Sequence, residues 1–256
     1  MKYMGSKSRI AKYIVPIIQN YIDDNNIKCY VEPFAGGLNI FDKIVCDKKI
    51  AIDKHKYLIA LFNYLKNGGE LPNSVSKEEY SNVRSNNDGY EDWYVGCVGF
   101  LASYNGRWFD GGYAKPGFEK TKNGERYRDY FQESKKNLLE QFDNLKNDFD
   151  KIEFKNKDYT EFKNRNLKGY LIYADPPYKG TKEYSNSKDF NHDEFWDIMR
   201  LWSKDNIVLI SEENAPDDFE CIWEQEVSRS IKATDKSTSV EKLFKYKERN
   251  YGNISS

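Results

Sequence analysis

Short and almost wholly apolar runs alternate along the chain with longer amphipathic runs. The apolar runs lie at 30–31, 50–52, 170–174 and 207–210. Their continuous apolar character is typical of parallel strands that are buried on both faces. Two further strand-like runs, 221–227 and 243–246, are predicted to pair in antiparallel fashion at the edge of the same sheet.

Helical periodicity fills much of the sequence between these strands. Apolar side chains recur at helical spacing in the runs 8–21, 38–45, 57–65 and 193–202. The alternation of strands and helices predicts an α/β fold with a doubly wound sheet and right-handed crossovers.

The stretch from about residue 67 to residue 150 breaks this rhythm. It contains turn-rich sequence and two helical runs, 93–104 and 127–145. We therefore expect a mostly helical insertion between two strands of the sheet. The predicted division is a sheet domain made of 1–55 with 151–256, and an insertion that covers 56–150.

Composition narrows the class of protein only slightly. The 256 residues include 40 basic and 41 acidic side chains, so any DNA-binding surface must come from local clustering. No apolar run is long enough to span a bilayer, and no apolar signal core is expected at the N-terminus. The four cysteines are scattered without metal-ligand spacing, which predicts no disulfide, no metal site and a reducing cytoplasm.

A glycine pair follows the first apolar strand, in the segment Glu32-Pro33-Phe34-Ala35-Gly36-Gly37. Adjacent glycines let a backbone approach a ligand closely, and a following helix would present unpaired amides. The spacing is not that of a dinucleotide-binding loop, because Leu38 and Asn39 follow. Asp53 ends the next strand, where an acid commonly binds ribose hydroxyls; the alternative is a helix N-cap. Together these features predict a nucleoside-containing ligand.

The strongest chemical signal is Asp175-Pro176-Pro177-Tyr178, which directly follows the run 170–174. Ligands of open α/β sheets bind at the carboxyl ends of strands, so catalysis is expected at this turn. Two prolines stiffen the turn, and the Asp175 carboxylate and Pro176 carbonyl are both acceptors for one NH2 group. Tyr178 offers a ring for stacking on a base. This predicts attack of a base amine on a methyl sulfonium, promoted by positioning and electrostatics.

Taken together, these segments resemble the Dam-type DNA adenine-N6 methyltransferases, in the same order and over nearly the whole chain. The resemblance implies a Rossmann-like methyltransferase sheet that binds S-adenosylmethionine, and a target-recognition insertion that binds double-stranded DNA. Lys2-Tyr3-Met4-Gly5-Ser6-Lys7 resembles the family's N-terminal cofactor segment, and Asp158-Tyr159 resembles the segment that holds the cofactor's adenine. Leu38 departs from the family, since many members have another glycine there. The cofactor residues implied are Tyr3, Lys7, Glu32, Phe34, Ala35, Gly36, Gly37, Asp53, Asp158, Tyr159 and Asp175, and the catalytic residues implied are Asp175, Pro176 and Tyr178.

DNA binding requires basic surface and a flipped base, because a duplex hides the reactive nitrogen. The run 100–109 resembles the family's recognition loop, whose Asn105-Gly106 pair lies near the target base. Members that read GATC have a guanine-binding Arg where this chain has Phe109, so GATC stays one candidate recognition site, and this departure counts against it. Arg107 either reads a guanine edge from a shifted position or grips phosphate. The residues predicted to bind DNA are Lys2, Tyr104, Asn105, Arg107, Lys115 and Arg126.

The sequence leaves several alternative functions open. A methyltransferase acting on RNA adenine or on a protein side-chain amide would use related motifs. A DNA-binding protein without turnover and a nicotinamide oxidoreductase are further alternatives, the second disfavoured by the glycine spacing. Amine methylation needs no cysteine nucleophile, so Cys97 and Cys221 are expected in the core, and His192 is expected at the start of a helix. The family includes enzymes with and without a restriction endonuclease partner, in bacterial or phage-infected cytoplasm, and the sequence is compatible with either.

Overall fold

The computed structural model describes residues 1–3, 5–121, 124–163, 167–177, 190–232 and 235–247. The strands are β1 (Cys29–Glu32), β2 (Lys48–Asp53), β3 (Gly117–Thr121), β4 (Gly124–Arg128), β5 (Ile152–Asn156), β6 (Tyr170–Ala174), β7 (Ile207–Ser211), β8 (Phe219–Lys232) and β9 (Asp235–Tyr246). The helices are α1 (Ala11–Asp24), α2 (Lys56–Lys66), α3 (Lys77–Ser85), α4 (Asp92–Leu101), α5 (Tyr130–Leu145) and α6 (His192–Trp202).

The main sheet has seven strands in the order β5-β2-β1-β6-β7-β9-β8. The five strands from β5 to β7 are parallel, and the hairpin β8–β9 adds an antiparallel edge through pairing of β9 with β7. The chain runs outward from β1 through β2 to β5, then returns to the other side of β1 with β6. The strand order therefore reverses between β1 and β6, where ligands of such sheets bind. The predicted fold class and antiparallel edge pair are confirmed.

Alternation along the central strands divides the core into two layers. Tyr30 and Tyr173 point into a cluster that includes α1, α2 and α4, and both rings are almost fully buried. Val31 and Ile172 point the other way, into a cluster built with α6. Because both faces are covered, every position of β1 is buried, which accounts for its apolar residues from Cys29 to Val31.

The helix predicted at 38–45 is wrong. Leu38 has φ 57°, and the region contains only one turn of 3-10 helix at Phe41–Lys43. The buried Lys49 ammonium donates to the carbonyl oxygens of Phe41 and Ile44, at 3.4 and 2.9 Å. Carbonyls that a helix would satisfy internally are thus bound by a side chain from β2.

Other predicted helices are present with changed ends. The run 93–104 stops being helical at Leu101, because Ser103 is already extended, with φ −89° and ψ 144°, and Asn105 and Gly106 then take positive φ values of 55° and 65°. The run 127–145 becomes helical only at Tyr130, where Asp129 accepts a hydrogen bond from the Gln132 amide at 3.0 Å. The run 8–21 is a 3-10 turn at Lys7–Arg9 followed by α1. The strand β5, the helix α3 and the hairpin β3–β4 were not predicted.

Between β2 and β5 the chain forms α2 to α5 and the hairpin β3–β4. Helix α2 packs on the sheet, where Asn63 donates to the Phe154 carbonyl at 3.3 Å. Helix α4 packs in turn on α2. No helix in the described ranges is both long enough and apolar enough to cross a membrane.

Contact between α2 and α4 depends on a small residue at position 96. A Cβ placed on Gly96 would lie 2.1 Å from the Tyr57 carbonyl oxygen. Gly96→Ala should therefore lower the free energy of unfolding by about 2–3 kcal/mol, despite the better helix propensity of alanine. Urea denaturation measures the change. Gly117→Ala is the matched control, because nothing lies within 4 Å of its added Cβ, and it should stay within about 0.5 kcal/mol of the parent. Equal stability of the two variants would contradict this packing.

Candidate active site

Asp175 follows β6 directly, beside the point where the strand order reverses. The pairing of Ala174 with Ile210 brings the ends of β6 and β7 level. The Asp175 side chain is 21% exposed, and Pro176 is buried after it. The Asp175-Pro176 part of the predicted catalytic turn thus lies at the carboxyl edge of the sheet, whereas Tyr178 lies outside the described residues.

Lys7 places a positive charge beside the Asp175 carboxylate. Its Nζ lies 3.3 Å from Asp175 Oδ1 and 3.1 Å from Oε2 of Glu241, a residue of β9. Only 8% of the Lys7 side chain is exposed. Burial disfavours the Lys7 charge, but the two carboxylates outweigh burial and raise its pKa. Lys7 is therefore a buried ammonium of the site.

The pKa of Asp175 is raised to about 6. Burial is the largest cause, the Lys7 charge opposes it, and the Glu241 charge adds to it. Glu241 was not predicted as a site residue. It shares a face of β9 with the fully buried Leu243, so an acid at an inward-facing strand position was the available signal.

Two more carboxyl groups are buried at this edge. Glu32, at the end of β1, is 3% exposed and accepts a hydrogen bond from the Tyr30 hydroxyl at 2.6 Å. Burial raises its pKa to about 8. Glu212, which follows β7, is 5% exposed, and its pKa is raised by burial to about 7. Within the described ranges its Oε2 atom has no hydrogen-bond partner. Glu212 was not predicted, although an acid just after a buried strand is a recognisable pattern.

The glycine loop is tied to the end of β2 by Asp53. The carboxylate accepts hydrogen bonds from the Gly36 amide at 3.0 Å and from the His55 amide at 2.9 Å. The N-cap of α2 is His55, without a side-chain cap bond, so the alternative that Asp53 caps this helix is wrong. The expectation of a helix N-terminus after the loop is also wrong, because the 3-10 turn described above stands there.

Tyr3 covers the glycine pair. A Cβ on Gly36, whose φ is 44°, would lie 3.0 Å from the Tyr3 ring, and one on Gly37 would lie 2.7 Å from Tyr3 Cβ. The loop therefore needs glycine at both positions to accept the N-terminal segment. Ala35 is buried under the loop and donates its amide to Ile52 at 2.9 Å. The residues predicted here for the cofactor are thus brought together.

An aromatic cluster lies next to the loop. The Phe34 ring is 4.9 Å from Tyr159 and 5.9 Å from Phe190, and the last two rings are 5.8 Å apart. Asp158 accepts a hydrogen bond from the Thr160 amide at 2.9 Å, so it caps its own turn. Phe190 was not predicted as part of the site.

The recognition-like loop packs on the N-terminal segment. A Cβ on Gly106 would lie 2.2 Å from the Lys2 carbonyl oxygen. Tyr104 is 46% exposed, and Asn105 and Arg107 are exposed beside it. Phe109 is 5% exposed and packs on Tyr80, with ring centroids 5.3 Å apart. Phe109 is therefore a core residue, and Arg107 is the side chain of this pair that reaches the surface.

The remaining predicted DNA residues lie around the same surface. Lys115 is exposed, and the Arg126 side chain on β4 is 72% exposed. Lys2 forms an ion pair with Glu133 at 2.6 Å and is 25% exposed. Arg128 holds the same carboxylate at 3.0 Å. Lys2 is thus anchored on α5, whereas Arg126 lies 3.8 Å from the same carboxylate and stays mostly exposed.

The structure confirms the predicted positions of Cys97 and His192 but not that of Cys221. Cys97 is buried, as expected, but Cys221 is exposed, so its predicted place in the core is wrong. It lies on the outer strand β8 at the sheet edge, where one face meets solvent. His192 is the first residue of α6, as expected. In the described part of the chain, no three His, Cys, Asp or Glu side chains are grouped to hold a metal ion.

The mostly parallel sheet with an antiparallel hairpin at one edge and a carboxylate site at the strand reversal is a Rossmann-like methyltransferase fold. Residues 3–205 match the family model of the D12 class N6 adenine-specific DNA methyltransferases. The chain belongs to this family, which confirms the resemblance read from its motifs.

Individual relatives are distant. The chain is 27% identical over 95 residues to the type II methyltransferase M.FokI of Planomicrobium okeanokoites, covering 36% of this chain and only 14% of that protein. A Pyrococcus horikoshii protein assigned as an RNA methyltransferase has 10% identity and a TM-score of 0.42, covering 95% of this chain and 84% of that one. TrmN from Thermus thermophilus has 9% identity and a TM-score of 0.36, covering 91% and 48%. Likenesses this low carry no information on substrate.

The buried Glu32 should make stability depend on pH. Its pKa is raised from 4.5 to about 8, so the folded protein keeps a proton that the unfolded chain releases. The free energy of unfolding therefore falls as pH rises through this window. Glu32→Gln should be more stable than the parent at pH 8 by about 2–4 kcal/mol, and should lose this advantage near pH 4.5. Urea denaturation of the ligand-free proteins measures both.

Glu224→Gln is the control, because Glu224 is an exposed residue of β8. Its stability difference from the parent should stay flat across the same pH range. Asp175 and Glu212 titrate in this range as well, so only the difference between variant and parent is informative. A flat difference for Glu32→Gln would show that Glu32 is ionised in the folded protein.

Proposed function

We propose that the protein is a site-specific DNA methyltransferase that transfers the methyl group of S-adenosylmethionine to N6 of a flipped adenine. The observation that carries the proposal is the partly buried Asp175, held by Lys7 at the strand reversal of a D12-family sheet. Its carboxylate is an acceptor in a partly buried site. An exocyclic amine is the matching donor.

The residues around the glycine loop suit the cofactor. Asp53 keeps free lone pairs on both oxygens after accepting two amides, so it can also bind ribose hydroxyls. The rings of Phe34 and Tyr159 offer apolar contact for an adenine, and the Asp175 carboxylate suits a cationic ligand. We assign cofactor binding to Tyr3, Lys7, Glu32, Phe34, Ala35, Gly36, Gly37, Asp53, Asp158, Tyr159 and Asp175.

Catalysis then follows from positioning. The cofactor supplies an electrophilic methyl group. The Asp175 carboxylate and the Pro176 carbonyl accept the two hydrogens of the amine, which favours a more tetrahedral nitrogen with its lone pair directed at that methyl group. As the nitrogen–carbon bond forms, the methyl–sulfur bond would break, and the Asp175 carboxylate would take the proton that the amine loses. We assign to Tyr178, which lies outside the described residues, the role of stacking on the base. The buried surroundings strengthen these interactions because little water competes for the amine.

We assign DNA binding to the insertion 56–150 together with the N-terminal segment. Lys2, Tyr104, Asn105, Arg107, Lys115 and Arg126 are the residues proposed for this role. Because Phe109 is buried, a guanine edge in the recognition site would be read by Arg107, in a bidentate contact. The recognition sequence therefore need not be GATC.

Asp175→Ala should reduce methyl transfer to duplex DNA by at least about a thousandfold, because it removes an acceptor for the reacting amine. Labelled methyl transfer from S-adenosylmethionine measures the rate. Binding of S-adenosylmethionine, measured by calorimetry, should weaken by less than about tenfold. Asp175→Asn keeps an acceptor oxygen and should retain more activity than Asp175→Ala.

Parallel reactions with duplex DNA, RNA and protein separate the alternatives. Label found only in RNA or only in protein would overturn the DNA assignment. Near-normal turnover by Asp175→Ala would overturn the catalytic assignment. Label at adenine N6 in DNA, lost with Asp175→Ala, supports both.

Arg126→Ala should weaken binding of duplex DNA by roughly threefold to tenfold, because it removes an exposed charge that can neutralise a phosphate. The slope of log K against log salt concentration should fall by about one. Lys136→Ala is the matched control: the Lys136 side chain on α5 is 76% exposed and lies outside the predicted DNA residues. Fluorescence anisotropy measures both. Equal effects of the two variants would remove Arg126 from the DNA surface.

A further inference from the structure

One ammonium group at the candidate active site is shared by two carboxylates. Lys7 Nζ contacts Asp175 Oδ1 at 3.3 Å and Glu241 Oε2 at 3.1 Å. The two acidic side chains are 21% and 16% exposed, so water screens all three groups only in part. Asp175 alone would be neutralised by Lys7. Glu241 adds a second negative charge within two hydrogen-bond lengths of the Asp175 oxygen.

Glu241 differs from the other acids of the site in the part of the chain that supplies it. It comes from the edge hairpin, where Leu243 pairs with Ser211 of β7. Glu32 and Glu212 also interact with Asp175, but burial raises their pKa values to about 8 and about 7, so near pH 7 Glu32 is mostly neutral and Glu212 carries only part of a full charge. Glu241 is more exposed than either and is paired with a lysine, so it supplies charge where they supply little.

In-line methyl transfer requires the sulfur to lie close to the acceptor nitrogen that Asp175 holds. In S-adenosylmethionine this sulfur carries a positive charge, and in the product S-adenosylhomocysteine it is neutral. A negative charge beside Asp175 therefore stabilises the bound substrate cofactor but has no such effect on the bound product.

We propose that Glu241 is a positioning residue that holds Lys7 and leaves the site with the excess negative charge that selects S-adenosylmethionine over S-adenosylhomocysteine. The proposal rests on the proposed function. Strand β9 then has a role in the exchange of product for fresh cofactor, because S-adenosylhomocysteine binds more weakly than S-adenosylmethionine and dissociates sooner.

The test is the ratio of two dissociation constants, measured by calorimetry at pH 7. Glu241→Gln keeps the size of the side chain and an oxygen that accepts from Lys7, but removes the charge. It should weaken binding of S-adenosylmethionine relative to S-adenosylhomocysteine by roughly fivefold. The second ligand controls for general damage, because loss of shape weakens both alike.

Two further variants fix the interpretation. Glu224→Gln removes a charge of the same type from β8 at an exposed position and should leave the ratio unchanged. Glu241→Ala removes the same charge with a different side chain and should shift the ratio in the same direction as Glu241→Gln, which keeps the proposal testable if Glu241→Gln fails to fold.

A ratio unchanged within about twofold in Glu241→Gln, while the parent binds both ligands and methylates DNA, would overturn this inference alone. A shift of equal size in Glu224→Gln would overturn it as well, since any acid of the hairpin would then serve. If the parent bound neither ligand, the proposed function itself would fail.

Discussion

The Lys7 ammonium group holds together parts of the chain that are remote in sequence. It joins the N-terminal segment to the turn after β6 through Asp175, and to the edge hairpin through Glu241, which is 234 residues away along the chain. Without this cation, two carboxylates would lie close together in a partly buried site, and both would resist ionisation. The position and charge of Asp175 therefore depend on Lys7, as does the attachment of β9 at the edge of the site.

This constraint explains why the site is built from opposite ends of the molecule. Tyr3 covers the glycine loop, and its packing brings Lys7 toward the carboxyl edge of the sheet. The antiparallel pairing of β9 with β7 places Glu241 beside the Lys7 ammonium group. The parallel strands supply a rigid frame on which these flanking segments converge. A small displacement of the N-terminal segment or of β9 would move the ammonium group away from Asp175 and change the charge of the site.

The sequence predicted the parts whose signals are local. The buried strands were recognisable because both faces are covered, and the Asp175-Pro176 turn because it follows such a strand. Strand β5 was missed because Ile152 and Phe154 alternate with charged residues, as expected for a sheet edge. The false helix at 38–45 has apolar residues at helical spacing, but its carbonyls are bound by Lys49 from another strand. Glu241 has a local signal, an acid at an inward-facing strand position, but its contact with Lys7 is made only by tertiary pairing, which local pattern does not give.

The central claim is that Asp175 positions an adenine amine of DNA for methylation. Sequencing that detects N6-methyladenine, applied to DNA from cells expressing the parent chain or Asp175→Ala, tests this most directly. We expect N6-methyladenine at one recurring sequence context with the parent chain, and its loss with the variant. Absence of the mark in both, or its persistence with Asp175→Ala, would contradict the account.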